Sequence, residues 1–448
     1  MPESDGNLAV LVLAAGKGTR MKSARSKVLH EVAGRPMLDY PLGVAEALAP
    51  EHLIAVIGRD AEKVEEAFAG RATFVLQAEQ RGTAHAVQTA MPLLGDFHGD
   101  VLILYGDTPL LRAESIARMV ELKEETGSPL AMLTSPEPLP GLIVRNAEGK
   151  VERIVEITDA TPEELKIQEG NTGVYLVDSE FLAKALSQLD DRNEQGELYL
   201  TDIVAVARSA GHSVEALCLE DADEAMGVND RAQLARASAV QRRRNAERLM
   251  AGGVTFIDPD ASYVDTGVEI GADTLIEPGV VITGPTTIGA DCHIKPHCVI
   301  ESSRIGDACV IGPSAHVRPG STLAKGVRLG NYVEVKNSDL GEGVKADHLS
   351  YIGDADVGAG SAFGCGSITV NYDWTDKHRT TVGERVRIGC NVNLVAPLTL
   401  EDDAFVAAGT TVTKNVATDT LAVSTGRQRN LDGWGARRRT KLGTKDKD

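Results

Sequence analysis

The chain has 448 residues, enough for about three domains and for a well-buried core. Apolar residues at 42% and charged residues at 25% exclude a disordered chain. Forty-six Lys and Arg against 65 Asp and Glu leave a net charge of −19. That argues against nucleic acid or an anionic membrane as partner, so an anionic substrate must meet a local cluster of cations or a metal.

Taken in chain order, the polar start Met1–Asn7 leads into the apolar run Leu8–Ala15, which Gly16 breaks. Broken there after an acidic, polar start, the run is read as neither a signal peptide nor a membrane span. Strands are predicted at Val10–Leu13, Ile54–Ile57, Phe74–Leu76, Val101–Leu104 and Val174–Val177. Amphipathic helical stretches separate them at Asp39–Ala49, Ala61–Phe68, Thr83–Leu94 and Glu114–Glu125. Apolar strands alternating with helices predict a mostly parallel sheet covered on both faces, with ligands beyond the carboxyl ends of the strands.

Those strand ends carry chemistry. The first continues into Gly16-Lys17-Gly18-Thr19-Arg20, a loop of backbone N–H groups and cations suited to phosphate. It is neither a dinucleotide fingerprint, since Met21 stands at the third Gly, nor a Walker loop. A tight structural turn is the competing explanation. Tyr105-Gly106-Asp107 puts a carboxylate at a strand end, where it would hold Mg²⁺ on phosphates or cap the next element. Gln77, with Gly82-Thr83, offers an amide and backbone groups to the polar edge of a base.

Asn229–Met250 has neither Gly nor Pro and predicts one linking helix, its arginines forming a solvated face. Beyond it a hexad appears. Positions 264, 270, 276, 282, 288, 294 and 300 read Val, Ile, Ile, Ile, Ile, Ile, Ile. After a one-residue slip, 305, 311, 317, 323, 329 and 335 are again aliphatic, as are 382, 388, 394, 400, 406 and 412. A helix would spread residues six apart over different faces. Short strands and turns, three hexads to a coil, keep them all inward. The register loosens between Lys336 and Thr381, and Val370–Thr381 reads as a loop leaving the coil. The six cysteines form no C-x-x-C pair, which argues against zinc and thioredoxin-type sites, and their sparsity in so long a chain predicts a reduced, cytoplasmic protein. The basic end Arg437–Lys447 reads as a solvated tail.

The set L-x-x-G-x-G-T-x-M at Leu13–Met21, Lys27, Q-x-x-x-x-G-T at Gln77–Thr83, Tyr105-Gly-Asp107, Asn171-Thr-Gly173 and Gly227-Val-Asn229 resembles sugar-1-phosphate nucleotidyltransferases. Joined to hexapeptide repeats, it resembles the bifunctional bacterial family that makes UDP-N-acetylglucosamine, from about residue 8 to about residue 430. The resemblance implies an α/β Rossmann-like nucleotidyltransferase domain over 1–228, a linking helix over 229–251, and a left-handed parallel β-helix over 252–448. It implies that Leu13, Gly16, Gly18, Thr19, Tyr105 and Gly106 cradle UTP while Arg20 and Lys27 neutralise phosphate charge. Gln77, Gly82 and Thr83 would hold uracil, and Asp107 and Asn229 would hold Mg²⁺. Gly141, Glu156, Asn171, Tyr199 and Thr201 would line the sugar.

In the repeat half it implies a homotrimer with sites between neighbours. His348 would be the catalytic base for acetyl transfer from acetyl-CoA to glucosamine-1-phosphate. Arg318, Lys336, Tyr351 and Ala362 would meet the sugar phosphate, and Asn371 would orient the amine or the developing oxyanion. Cys365, Asn371, Tyr372, Cys390, Ala408 and Arg427 would line acetyl-CoA. The chain departs from the family pattern at Ser26, where Pro is usual before the Lys, and at Leu142, where Arg is usual. It departs again at Ala362, usually Asn, and at Cys365 and Cys390, both read here as small packing residues. Two other readings are a nucleotidyltransferase whose β-helix only oligomerises, and a non-catalytic nucleotide-sugar sensor.

Overall fold

The computed structural model describes residues 7–192, 196–424, 426 and 430–443. Contacts divide the chain into two units, Met1–Glu247 with Val264–Thr266, and Arg248–Tyr263 with Gly267–Asp448.

In the first unit seven strands lie in the order Glu215–Cys218, Leu130–Ser135, Gly170–Asp178, Asp100–Tyr105, Leu8–Ala14, His52–Ile57 and Thr73–Leu76. All pairings along this path are parallel except those of Gly170–Asp178, which runs antiparallel to both neighbours. A hairpin, Gly141–Arg145 with Val151–Glu156, joins through Gly170. Alternate residues of the central strands feed two cores. Leu11, Ile103 and Tyr175 face one. Val10, Leu102 and Leu176 face the other. The five strands read from the sequence are all present within one or two residues at each end, apart from Gly170–Asp178, which begins four residues earlier. Leu13 pairs with Tyr105, so the first strand and the Asp100–Tyr105 strand finish side by side. Their loops therefore open at one place.

The helix Arg231–Ala251 forms where a linking helix is predicted. Its arginines correct the idea of a merely solvated face. Arg236 pairs with Asp223 at 2.8 Å, and Arg244 donates to Leu110 O at 2.6 Å and to Asp221 at 3.0 Å. Long guanidinium arms add bonds to carbonyls and carboxylates beside the contacts of the helix's apolar residues.

The second unit is a parallel β-helix. Strands of two to four residues stack into three sheets, and partners lie 17 or 18 residues apart over most of its length, as at His293–Val310 and Val310–Arg328. Among the hexad positions named above, all are buried except Ile270, which is half-buried. Each inward Ile or Leu contributes ~2 kcal/mol of burial, and no polar group has to follow it inside. The apparent gap in register is a correction to the sequence reading. Leu340, Ala346, Ile352, Val357, Phe363 and Thr369 are all buried in that segment. The coil continues there with Ala, Phe and Thr in place of branched aliphatics, and Thr369 Oγ1 satisfies its own hydroxyl on Gly353 O at 3.0 Å. Only 371–379 leaves the coil, between strands Ile368–Val370 and Thr380–Val382. Near the end, Trp434–Gly443 forms a helix, and its residues through Thr440 are exposed, as expected of a solvated end.

Candidate active sites

The first site opens at the paired strand ends of the nucleotidyltransferase-like unit. Gly18 sits there with φ +60°, and a Cβ on it would lie 2.8 Å from Lys27 Cβ, so a side chain is excluded on two counts. The space it leaves lets Lys27 cross beneath the loop. Lys27 is buried, and its Nζ lies 2.5 Å from Asp107 Oδ2 and 3.0 Å from Asn229 Oδ1. Three segments far apart in sequence thus meet at one ammonium. Val228 N–H donates to Asp107 O at 2.8 Å, which sews the Asn229 segment to the Asp107 loop.

Around that point are two lobes. One, of about 320 Å³, is lined by Leu13, Gly16, Lys27, Gln77, Gly82, Thr83, Tyr105 and Asp107. The other, of about 560 Å³, is lined by Arg20, Gly141, Glu156, Asn171, Tyr199, Thr201 and Asn229, and shares Thr83, Tyr105 and Asp107 with the first. Of the residues expected here, Gly18, Thr19 and Gly106 line neither lobe. Gly106 works from beneath: a Cβ on it would lie 2.9 Å from Ala14 Cβ, so it permits close packing of the two strand ends. Glu197 lines both lobes and was missed, because a lone acidic residue in a polar stretch carries no motif.

Gln77 is buried. Its Nε2 contacts Gly82 O at 3.2 Å and His85 Nδ1 at 2.9 Å, so its amide nitrogen is already engaged. Gly82 has φ +109°, and a Cβ there would fall 2.4 Å from Leu198 O. In the larger lobe, Asn171 Oδ1 accepts from Gly173 N–H and Tyr175 OH, both at 3.1 Å. Burial, with Asp159 and Asp202 nearby, raises the Glu156 carboxyl above the ordinary range. Burial, reinforced by Asp107, likewise pushes the Tyr105 phenol up. Ser26 has φ −53°, a value proline also takes, so the backbone before Lys27 keeps the usual shape. Leu142 is buried and lines neither lobe.

The second site lies on the β-helix. Strand pairing stacks Asn331, His348, Cys365, Cys390 and Ala408 at equivalent positions of successive coils. Main-chain bonds from Gly366 N–H to Leu349 O, Asn391 N–H to Cys365 O and Gly409 N–H to Cys390 O tie this edge together. The ladder climbs ~4.8 Å per coil. His348 is exposed, with Nδ1 3.1 Å from Asn331 Oδ1. The tautomer that donates Nδ1–H to that oxygen leaves Nε2 as the basic nitrogen. A cavity of about 330 Å³ beside it is lined by Lys295, Pro313, Arg328, Asn331 and Asp347. Cys365 and Cys390 are exposed, which corrects their reading as packing residues; the buried thiols are Cys292, Cys298 and Cys309. The corner position keeps the first two outside the aliphatic column.

Of the expected sugar-phosphate residues, Lys336 and Tyr351 occupy another sheet, and Arg318 follows one of its strands. Arg318 donates to Glu334 at 2.8 Å, and Lys336 lies 3.6 Å from Asp354. Asn371 Nδ2 reaches Tyr351 OH at 3.4 Å and also donates to the Asp354 carboxylate. Tyr372 is exposed on the 371–379 loop, its hydroxyl donating to Trp374 O at 2.8 Å. Ala362 lies on the same sheet as His348, away from the sheet of Tyr351. Arg427 lies outside the described residues. Sequence reasoning missed Asn331, Glu334 and Asp354. Pairing could have found all three, since Asn331 is the strand partner of His348, Glu334 that of Tyr351, and Asp354 follows Gly353, the partner of Lys336.

Comparison with known proteins covers both sites. Residues 10–196 match the MobA-like NTP transferase domain. Residues 267–302 and 302–337 match the bacterial transferase hexapeptide (six repeats), and 379–414 match the hexapeptide repeat of succinyl-transferase. The β-helix is thus of the left-handed, hexapeptide kind. Along its whole length the chain is similar to proteins named bifunctional protein GlmU. That of Pelobacter propionicus is 46% identical over 457 residues, covering 97% of this chain and 99% of that protein. That of Geobacter sulfurreducens is 44% identical with the same coverage, and that of Streptococcus agalactiae serotype V is 43% identical over 95% of this chain and 96% of that protein.

Proposed function

The chain belongs to the bifunctional GlmU family, and on that premise we propose how its residues divide two reactions. The enzyme acetylates glucosamine-1-phosphate with acetyl-CoA and transfers UMP from UTP to N-acetylglucosamine-1-phosphate. In our reading residues 1–228 carry uridylyl transfer and 252–448 acetyl transfer, with 229–251 between them.

For uridylyl transfer, Asp107 and Asn229 would hold a divalent cation, which we take to be Mg²⁺. Their two hard oxygens already converge on the Lys27 ammonium, so the donor set suits a small cation whose other ligands are phosphate oxygens and water. Such an ion neutralises the charge that builds on the phosphates during transfer. The chain's own part is alignment. Lys27 and Arg20 offset phosphate charge, and the backbone of the Gly16–Arg20 loop offers donors to the triphosphate. Gln77, its nitrogen engaged, presents a carboxamide oxygen that can accept uracil N3–H. Cytosine has no hydrogen there, so the same oxygen would disfavour it. The sugar phosphate in the larger lobe attacks the α-phosphorus, and pyrophosphate leaves without a protein nucleophile.

For acetyl transfer, Nε2 of His348 takes a proton as the amine of glucosamine-1-phosphate attacks the thioester carbonyl. The C–N bond forms, the C–S bond breaks, and the CoA thiol departs. The amide N–H groups of Asn371 point at Tyr351 and Asp354, leaving its carbonyl oxygen for the substrate. An acceptor suits the amine, not the oxyanion, so the first of its two expected roles is favoured. The exposed edge from His348 through Cys365 and Cys390 to Ala408 fits an extended pantetheine arm. Residues expected around one sugar lie on two different sheets of the chain, which supports a homotrimer completing each site between neighbours. Six free thiols fit a reducing compartment, the cytoplasm.

The observation that carries the two-reaction reading is His348, exposed and oriented by Asn331 at the head of that ladder. A β-helix used only for assembly has no need of it. The test is an assay of the purified protein with glucosamine-1-phosphate, acetyl-CoA, UTP and Mg²⁺, following thiol and pyrophosphate together. Release of both is expected. Thiol without pyrophosphate, or the reverse, removes half of the assignment.

A further inference from the structure

Asp354 is among the few carboxylates of the β-helix that are buried, and its backbone takes φ +50°. All its polar groups are committed. Oδ1 accepts from Asn337 Nδ2 at 2.6 Å. Oδ2 accepts from Asn371 Nδ2 and faces Lys336 Nζ at 3.6 Å. Its N–H donates to Lys336 O at 2.9 Å, and its C=O accepts from Thr380 N–H at 3.0 Å. Asn371 and Thr380 are the two residues at which the 371–379 loop leaves and rejoins the coil. One residue therefore holds the Lys336 ammonium, the Asn371 amide and both feet of the loop.

We propose that Asp354 is a positioning residue for acetyl transfer, aiming Lys336 at the sugar phosphate and Asn371 at the amine. The inference rests on the acetyltransferase reading above. Its physical basis is that a carboxylate can only accept hydrogen bonds when ionised. It forces the Asn371 nitrogen inward and the oxygen toward substrate, and it gives the Lys336 ammonium a fixed counter-charge. Burial works against the ionised form, but hydrogen bonds from Asn337 and Asn371 and the charges of Lys336 and Lys377 outweigh it and hold the carboxyl below its ordinary range.

An amide at this position keeps the shape and sets a donor against donors. In full-length Asp354→Asn, kcat for thiol release should fall about tenfold or more, and KM for glucosamine-1-phosphate should rise. Uridylylation by the same preparation should stay within about twofold of the parent. The chain has two tryptophans, Trp374 on the loop and Trp434 near the end. In a Trp434→Phe background the emission anisotropy of Trp374 should fall when Asp354 is changed, as the loop loses its anchor. Asp354→Ser, smaller and without a new donor pair, provides a second test should the amide misfold. The proposal is overturned if both kinetic constants of Asp354→Asn stay near those of the parent. It is equally overturned if acetylation and uridylylation fall in parallel in both variants, or if neither variant melts cooperatively, because the residue would then serve folding alone. A parent enzyme that released no thiol would sink the acetyltransferase reading instead. Trp374 anisotropy would still report whether Asp354 fastens the loop.

Discussion

The two sites are built by opposite means. In the first unit, Lys27, Asp107 and Asn229 come from loops up to 202 residues apart and meet because parallel strands end together. In the second, Asn331, His348, Cys365, Cys390 and Ala408 come from one repeated position of a coil. A convergent site concentrates charge at a point, which suits a triphosphate. A periodic site makes a rail, which suits a long thin thioester. The contrast implies that damage to the first is all-or-none at its central contact, while damage to the second depends on the rung removed.

Removal of the proposed base gives the largest expected effect. His348→Ala should lower acetyl transfer by ~10²–10⁴-fold, with pyrophosphate release from UTP and supplied N-acetylglucosamine-1-phosphate nearly unchanged. Equal loss of both activities in a folded protein would end the division into independent sites. Asp107→Ala should do the converse, costing uridylylation on the order of 10²-fold or more and sparing thiol release. It also frees Lys27 from its 2.5 Å contact, so crystallography of the variant should find that ammonium displaced.

Smaller effects test the scaffolds. Ile311→Ala, at a fully buried rung, should cost ~2–5 kcal/mol, read in a denaturant melt of the second unit. An unchanged midpoint would mean that the aliphatic column does not bear the stability assigned to it. The smallest effect concerns Glu156, whose folded pKa is raised by burial. The folded state holds that proton more tightly than the unfolded chain, so this group favours folding below its unfolded pKa. That contribution is lost as pH rises through the folded value. Glu156→Gln should therefore melt slightly higher than the parent at neutral pH, with the gap closing toward about pH 4.

Much of this was legible from residues alone where spacing repeats or a glycine is compulsory. The hexad announced the coil because only an inward column demands one aliphatic every six residues. Gly18 and Gly82 stood out among the motif residues, and positive φ and close neighbours leave neither room for a side chain. The hexad disappeared to inspection around Ala346 and Thr369, since small or self-satisfied side chains fill the same inward place. Asp354 and Glu334 were passed over for another reason: a charge beside a repeat looks like any solvated charge until the coil register supplies its partner.

The amino-acid order by itself determined the two architectures, the family and the residue types able to do the chemistry, because period and backbone conformation are local properties. Tertiary structure alone decided that Lys27 bridges Asp107 and Asn229, that the amide nitrogens of Gln77 and Asn371 are engaged within the protein, and that Cys365 and Cys390 lie outside the core. Each of those depends on which hydrogen-bond partner arrives from a distant segment, and no spacing along the chain specifies it.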